Sequence, residues 1–163
     1  MNVTVPFEGI GASVRRKEDL RFLTGRGQYT DDLNRPGQLY AWILRSPHAH
    51  ARIERIDTAA AAAMPGVQAI YTGQDLAAAG LGGLPCGWQV TGKGGKVMAE
   101  PMHPVLAIGK VRHVGDPVAL VVAETRAQAR DAAEAIEVDY TPLPAISTIE
   151  AALAPGAPAL HDE

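Results

Sequence analysis

Apolar positions along this chain recur with two different periods, and glycines and prolines mark where one period gives way to the other. KEDLRFLTGRG sets Leu20 and Leu23 three apart behind acidic residues and closes on Gly25, which predicts a short helix. Asn34, Pro36 and Gly37 then mark a turn, and residues 39–44 read as a strand. In ARIERID, Ile53 and Ile56 sit among charges, predicting a second, half-exposed strand. Asp57 is placed to cap the alanine run 59–63, which Pro65-Gly66 must end. VQAIYT returns to a strand, and Thr72 with Asp75 has the spacing of a capping box for the DLAAAG helix.

The second half is more sharply patterned. PVALVVA (117–123) is an unbroken apolar run, the mark of a central strand covered on both faces, with Pro117 at its first residue where a missing N–H is tolerated. Thr125 and Gln128 open a helix whose Ala129, Ala132, Ala133 and Ile136 share one face. IEVDY (136–140) is a strand, and TPLPAI stays extended because its prolines exclude a helix. Between the halves, residues 80–96 hold seven glycines and no period, which predicts a long loop. Strands, helices and hairpin-type turns in this order give an α+β fold rather than a wound parallel sheet.

Composition narrows the function. A chain of 163 residues makes one domain, or one with a small appendage, and can bury about 70% of its unfolded surface. With 47% hydrophobic but only 5% aromatic residues, the core must come from Val, Ile, Leu and Ala. A net charge of −3 without a basic stripe argues against nucleic-acid binding. The single Cys86 forbids an internal disulfide, and no apolar run is long enough to span a membrane. The start lacks the pattern of a signal peptide, so a cytoplasmic location is expected.

The chemistry-bearing residues do not assemble into a set. RSPHAHARIERID places His48 and His50 one residue apart, a spacing that on a strand would point both imidazoles to one face. A metal needs three or four ligands, and His103, His113 and His161 share no ligand spacing with them. GIGASV and GRGQYT each supply two glycines of a dinucleotide fingerprint without the third or its strand–turn–helix setting, and GKGGK lacks the phosphate-loop spacing. Ser13, Ser46 and Ser147 have no nucleophile-elbow context. A Cys86–His103 dyad is conceivable, but an inert thiol is the better reading. The neighbouring acids Glu18-Asp19 and Asp31-Asp32 read as a helix start and a turn.

Four segments, GASVRRKEDLRFLTGRGQYTDDL, RSPHAHARIERID, MPGVQAIYTGQDL and VRHVGDPVALVVAETRAQARDAAEAIEVDYTPLPA, together resemble the start of the large subunit of molybdenum hydroxylases. That family comprises xanthine dehydrogenase, aldehyde oxidase and aerobic carbon monoxide dehydrogenase, and the opening of this chain looks most like the bacterial carbon monoxide dehydrogenase type. The resemblance runs from Gly9 to the end of the chain. It implies an N-terminal arm over 1–16, an α/β-hammerhead over 17–147, and a segment over 148–163 leading toward molybdenum-binding domains. It also implies a molybdenum–pterin dinucleotide cofactor in the full subunit, and iron–sulfur and FAD subunits as partners. No position matches a catalytic, cofactor-binding or metal-binding motif of the family, so no site residue is assigned in any of these classes. By resemblance, RSPHAHARI is a structural signature in which Arg45 and Arg52 pair with carboxylates and the histidines pack at a strand end.

Three readings follow: a noncatalytic domain of an oxidoreductase subunit, a free-standing interaction module with the same fold, or a metal-dependent enzyme built on His48 and His50. The first is expected, and the fragment alone is expected to be inactive.

Overall fold

The computed structural model describes residues 9–11 and 16–162. Ser13 and most of the arm expected over 1–16 lie outside these residues. The chain divides into two compact units, residues 1–36 and 37–163. In the first, α1 (Asp19–Leu23) begins beside an Arg16–Asp19 ion pair of 3.1 Å. It stops where Gly25 takes a left-handed φ of 68°, a conformation that costs glycine least. Thr30–Asp32 forms a tight 3-10 turn, with the Asp32 carboxylate accepting the Tyr29 N–H at 2.9 Å.

The second unit is built on two three-stranded antiparallel sheets. In one, β5 (Pro117–Ala123) lies between β1 (Tyr40–Arg45) and β3 (Val67–Thr72). Tyr40 of β1 and Val67 of β3 both register with Ala123. In the other, β2 (Ala51–Asp57) lies between β4 (Lys110–Val111) and β6 (Glu137–Pro142). The α+β expectation is met, with the strands divided between two small sheets.

The apolar run PVALVVA is covered on both faces, as its pattern requires. Val118 packs with Ala51, Ala107 and Val111. Ala119 and Val121, on the opposite face of the pleat, pack with Ala61, Ala132, Ala133 and Ile136. The helix supplying two of those alanines, α4 (Arg126–Glu134), opens where the Thr125 hydroxyl accepts the Gln128 N–H. Methyl-sized side chains let its backbone approach the sheet closely, which is why an alanine face serves here instead of leucines.

Two short helices flank β3. α2 (Ala59–Ala62) starts where Asp57 Oδ1 accepts the Ala59 N–H at 3.0 Å, and the chain leaves it through Gly66 at a φ of 80°. α3 (Gly73–Ala78) carries the expected capping box: Asp75 accepts the Thr72 N–H at 2.7 Å and its hydroxyl at 2.6 Å. Gly73 has no room for a side chain, because a Cβ there would lie 2.4 Å from the Ala107 carbonyl oxygen.

Two elements differ from the sequence reading. β4 is only two residues long, and α5 (Ile149–Leu153), capped by Thr148 accepting the Ala151 N–H, follows the prolines. The glycine-rich 80–96 segment is also more ordered than a plain loop. It folds back on residues 97–103 through bridges between Leu84 and His103 and between Thr91 and Val97. This arm leaves Leu81, Leu84, Trp88, Val90, Val97 and Met102 exposed, Trp88 by 80%.

Candidate functional site

The RSPHAH segment starts on the last residue of β1 and its residues 46–50 lie between β1 and β2, so its two histidines are not on a strand. Without a strand's alternation they go different ways. His48 lies tilted against the Tyr140 ring, with centroids 4.8 Å apart. His50 is 94% buried, being 6% exposed, and its Nδ1 lies 2.8 Å from the Pro144 carbonyl oxygen. Because a carbonyl only accepts, Nδ1 carries the proton of that bond. The segment is pinned by Ser46, whose N–H donates to the Asp116 carbonyl at 2.9 Å and whose carbonyl accepts the Gly115 N–H at 2.8 Å. The Ser46 hydroxyl also exchanges hydrogen bonds with the His48 backbone, accepting its N–H at 3.0 Å. Burial pushes the Tyr140 phenol above its ordinary value, and a hydrogen bond with Ser46 partly opposes this.

The arginines of the segment differ from expectation. Arg45 donates to the Gly115 carbonyl at 2.9 Å rather than to a carboxylate. No ion pair of Arg52 occurs among the described residues. Three carboxylates on this sheet instead meet Arg55, which lies 2.7 Å from Asp57, 2.9 Å from Asp139 and 3.6 Å from Glu137. Strand pairing explains this: Asp57 and Glu137 are register partners, as are Arg55 and Asp139, so the antiparallel sheet assembles the cluster.

The remaining histidines converge in space although not in sequence. His103, His113 and His161 line one cavity of about 220 Å³ with Arg112 and Asp116. Asp116 Oδ2 accepts the Arg112 backbone N–H at 2.8 Å and lies 3.8 Å from His113 Nδ1. Arg112 and His113 also border a second cavity of about 460 Å³, whose wall includes His50, Val114, Pro144, Ile146 and Leu160. Three buried nitrogens in this region have no hydrogen-bond partner: His50 Nε2, Arg112 Nε and His161 Nδ1. Nothing in the sequence spacing signals the part played by Arg112.

Among the described residues, no three His, Cys, Asp or Glu side chains converge to hold a metal. Cys86 and His103 border a common cavity of about 320 Å³, but the thiol is directed to the Trp88 carbonyl at 3.2 Å. The Cys86 N–H donates to Glu100, and Gln89 donates to the other Glu100 oxygen. These bonds, that of Gln89 above all, hold the Glu100 carboxyl below its usual range. No step of metal or thiol chemistry follows from this arrangement.

Residues 24–144 match the family described as the aldehyde oxidase and xanthine dehydrogenase a/b hammerhead domain. This chain belongs to that family. The hammerhead accounts for the antiparallel sheets and short helices described above, and the match ends just before α5. The chain is 42% identical to the carbon monoxide dehydrogenase large chain of Afipia carboxidovorans over 156 residues, covering 96% of this chain and 18% of that one. The crystal structure of quinoline 2-oxidoreductase from Pseudomonas putida 86 aligns with a TM-score of 0.77 at 48% identity, over 91% of this chain and 18% of that one. A structure of the Cu,Mo-CO dehydrogenase in its carbon monoxide reduced state aligns at 0.73 and 42% identity, over 94% of this chain and 18% of that one. The hammerhead chain thus spans less than a fifth of the length of the relatives it matches. Among its described residues, no helix is long and apolar enough to cross a membrane.

Proposed function

We propose that this chain is the N-terminal structural domain of a molybdenum hydroxylase large subunit. The whole protein would oxidise a small substrate at molybdenum and pass electrons to iron–sulfur and FAD subunits in the cytoplasm. The observation that carries this is the 42% identity with a carbon monoxide dehydrogenase large chain along 96% of this chain. The side chains described here offer no converging ligand set, so they do not fit a directly ligated metal. We place the molybdenum–pterin dinucleotide and the reacting groups on chain outside these residues, and assign this domain no catalytic, cofactor-binding or metal-binding residue.

In this reading the domain's own work is mechanical. The two sheets supply a rigid body, and the 80–103 arm supplies apolar surface for the rest of the subunit to cover. Leu81, Leu84, Trp88 and Met102 are poor residues to leave in water, and an exposed apolar group of this kind marks an interface.

The gene tests the reading. Several hundred further codons in frame after codon 163, beside genes for iron–sulfur and flavin subunits, are expected. A stop codon directly after Glu163 would favour a free-standing interaction module instead. As a biochemical check, the chain is purified from a host able to make the cofactor. Molybdenum is then measured by elemental analysis, and dye reduction is assayed with carbon monoxide, purines and aldehydes. Neither metal nor turnover is expected, and near-stoichiometric molybdenum would move the active site into this domain.

A further inference from the structure

We infer that residues 157–162 form a strap latched to β4 by the Asp162 carboxylate, and that releasing the latch loosens the base of the glycine-rich arm. The inference does not rest on the scaffold reading. After α5 the chain turns, the Ala157 N–H donating to the Ala154 carbonyl at 3.1 Å, and returns to β4. Among the described residues, no backbone hydrogen bond joins 158–162 to another segment. The tie is instead the Asp162 carboxylate, which accepts from Lys110 Nζ at 2.7 Å. The Lys110 side chain is only 13% exposed, and a cation so enclosed needs a counter-charge. The hydrogen bond from Lys110 does most to hold the Asp162 carboxyl below its ordinary range, and Arg112 and His50 attract it as well. One carboxylate therefore answers three basic groups.

The residue before the latch links it to the arm. His161 borders two cavities, one lined also by Met102 and His103, the other by Leu84, Cys86, Met98 and His103. These include both ends of the bond that closes the arm's base, from the Leu84 N–H to the His103 carbonyl at 2.7 Å. The arm has little else in reserve, because seven glycines over 80–96 favour its disorder. When Asp162 leaves Lys110, His161 is free to leave with it, and the basal bridge loses the packing beside it. Because the Asp162 side chain is 75% exposed, the pair is weak enough for a competing anion or a pull on the strap to open it. The sheets need not unfold for this, since their ladders run through β1 to β6 and not through the strap.

The test is amide exchange, followed by NMR, in the parent chain, Asp162→Asn and Lys110→Met. Asp162→Asn alters only the charge of an exposed side chain, and Lys110→Met leaves an unbranched apolar stem in the enclosed position. In both variants the Leu84 amide is expected to exchange about two- to fivefold faster, the range of one exposed ion pair. The reference is the Ala62 amide, bonded to the Thr58 carbonyl in the four-residue α2, which borders neither cavity and opens locally. Its rate is expected to stay unchanged. Raising salt from about 0.1 M to about 1 M shortens electrostatic reach from about 10 Å to about 3 Å. Relative to Ala62, this should speed Leu84 in the parent and leave it unchanged in Asp162→Asn. An unaltered Leu84 rate in Asp162→Asn overturns the inference, as does an equal salt response in parent and variant. Equal acceleration of Leu84 and Ala62 overturns it too, since that is general loosening and no latch. If Lys110→Met does not fold, Asp162→Asn and the salt series decide.

Discussion

Ile56 of β2 and Val138 of β6 face each other across the second sheet, and both pack against the two hydrophobic clusters of the domain. One cluster contains Val121 and the α4 alanines, the other Ala51, Val111 and Val118, so this cross-strand pair joins the two halves of the core. Truncating either residue removes partners on both sides. Ile56→Ala and Val138→Ala should each cost about 1.5–2.5 kcal/mol. The double variant should depart from additivity by at least about 0.5 kcal/mol, as contacting residues do. Urea unfolding of the four proteins measures this, and strict additivity would show that the pair does not act as one joint.

Gly73 predicts a steric penalty of a different origin. A Cβ at this position would press on the Ala107 and Leu106 carbonyl oxygens at 2.4 and 2.7 Å, and backbone cannot swing away as a side chain can. Gly73→Ala should destabilise by about 1–3 kcal/mol, despite alanine's better helix propensity. Gly82 has nothing within 4 Å of its added Cβ, so Gly82→Ala serves as the control and should stay within about 0.5 kcal/mol of the parent. Thermal unfolding of both variants separates the two expectations.

Acid should unlatch the start of α3. The Thr72 hydroxyl, then its backbone N–H, hold the Asp75 carboxyl below its ordinary value of 3.8. A carboxyl depressed in the folded state contributes stability that is complete above 3.8 and is lost as pH falls through the lower folded value. Asp75→Asn should therefore cost about 1 kcal/mol at neutral pH, the scale of a helix cap. It should also flatten the decline in stability below pH 3.8. Denaturant midpoints recorded from neutral pH down to about pH 2 would contradict this if parent and variant fell in parallel.

The two histidines of RSPHAH should separate in their effect on stability and agree in their effect on metal. His50→Ala removes a buried hydrogen bond to Pro144 and should cost about 1–3 kcal/mol. His48→Ala removes a ring contact with Tyr140 and should cost less. The double variant should leave any metal content unchanged in elemental analysis. Loss of a stoichiometric metal would restore the reading that makes these residues ligands.

The glycine-rich arm should be the least protected part of the second unit. Its order rests on isolated bridges at Leu84–His103 and Thr91–Val97, with little burial behind them. Seven glycines over 80–96 raise the cost of holding it in one shape. In hydrogen exchange, amides of 81–103 should exchange orders of magnitude faster than those of β5. Protection in the arm equal to that of β5 would show that it is stable without any covering partner.

What the sequence disclosed and what it hid follow one physical rule. β5, α4 and the capped starts of α3 and α4 are written in local patterns, an apolar run and side chains three residues apart, and the structure keeps them all. β4 is two residues long, too short for any period, and exists because Ala51 and Arg52 pair with it. α5 had a signal in Thr148, three residues before Ala151, but the preceding prolines masked it. The histidine cavities were invisible because His50, Arg112 and His161 meet through strand pairing and tail placement, not through spacing. The shared face that the His48 and His50 spacing would give on a strand does not arise for a related reason, since alternation holds only on a strand and they lie beyond one.

The sheet order also has a consequence for how the chain comes off the ribosome. β1 and β3 both pair with β5, and β2 takes its long partner from β6, so every extensive pairing waits for residues 117–142. When β3 has emerged, residues 73–116 must still be made before its neighbour arrives, on the order of seconds at about 5–20 residues per second. During that interval two apolar strands are exposed with unsatisfied edges. A nascent chain stopped at residue 116 would hold four of the six strands and only the two-residue β2–β4 ladder. The hammerhead is therefore a late-closing unit, whose vulnerable period is fixed by the position of one strand in the message.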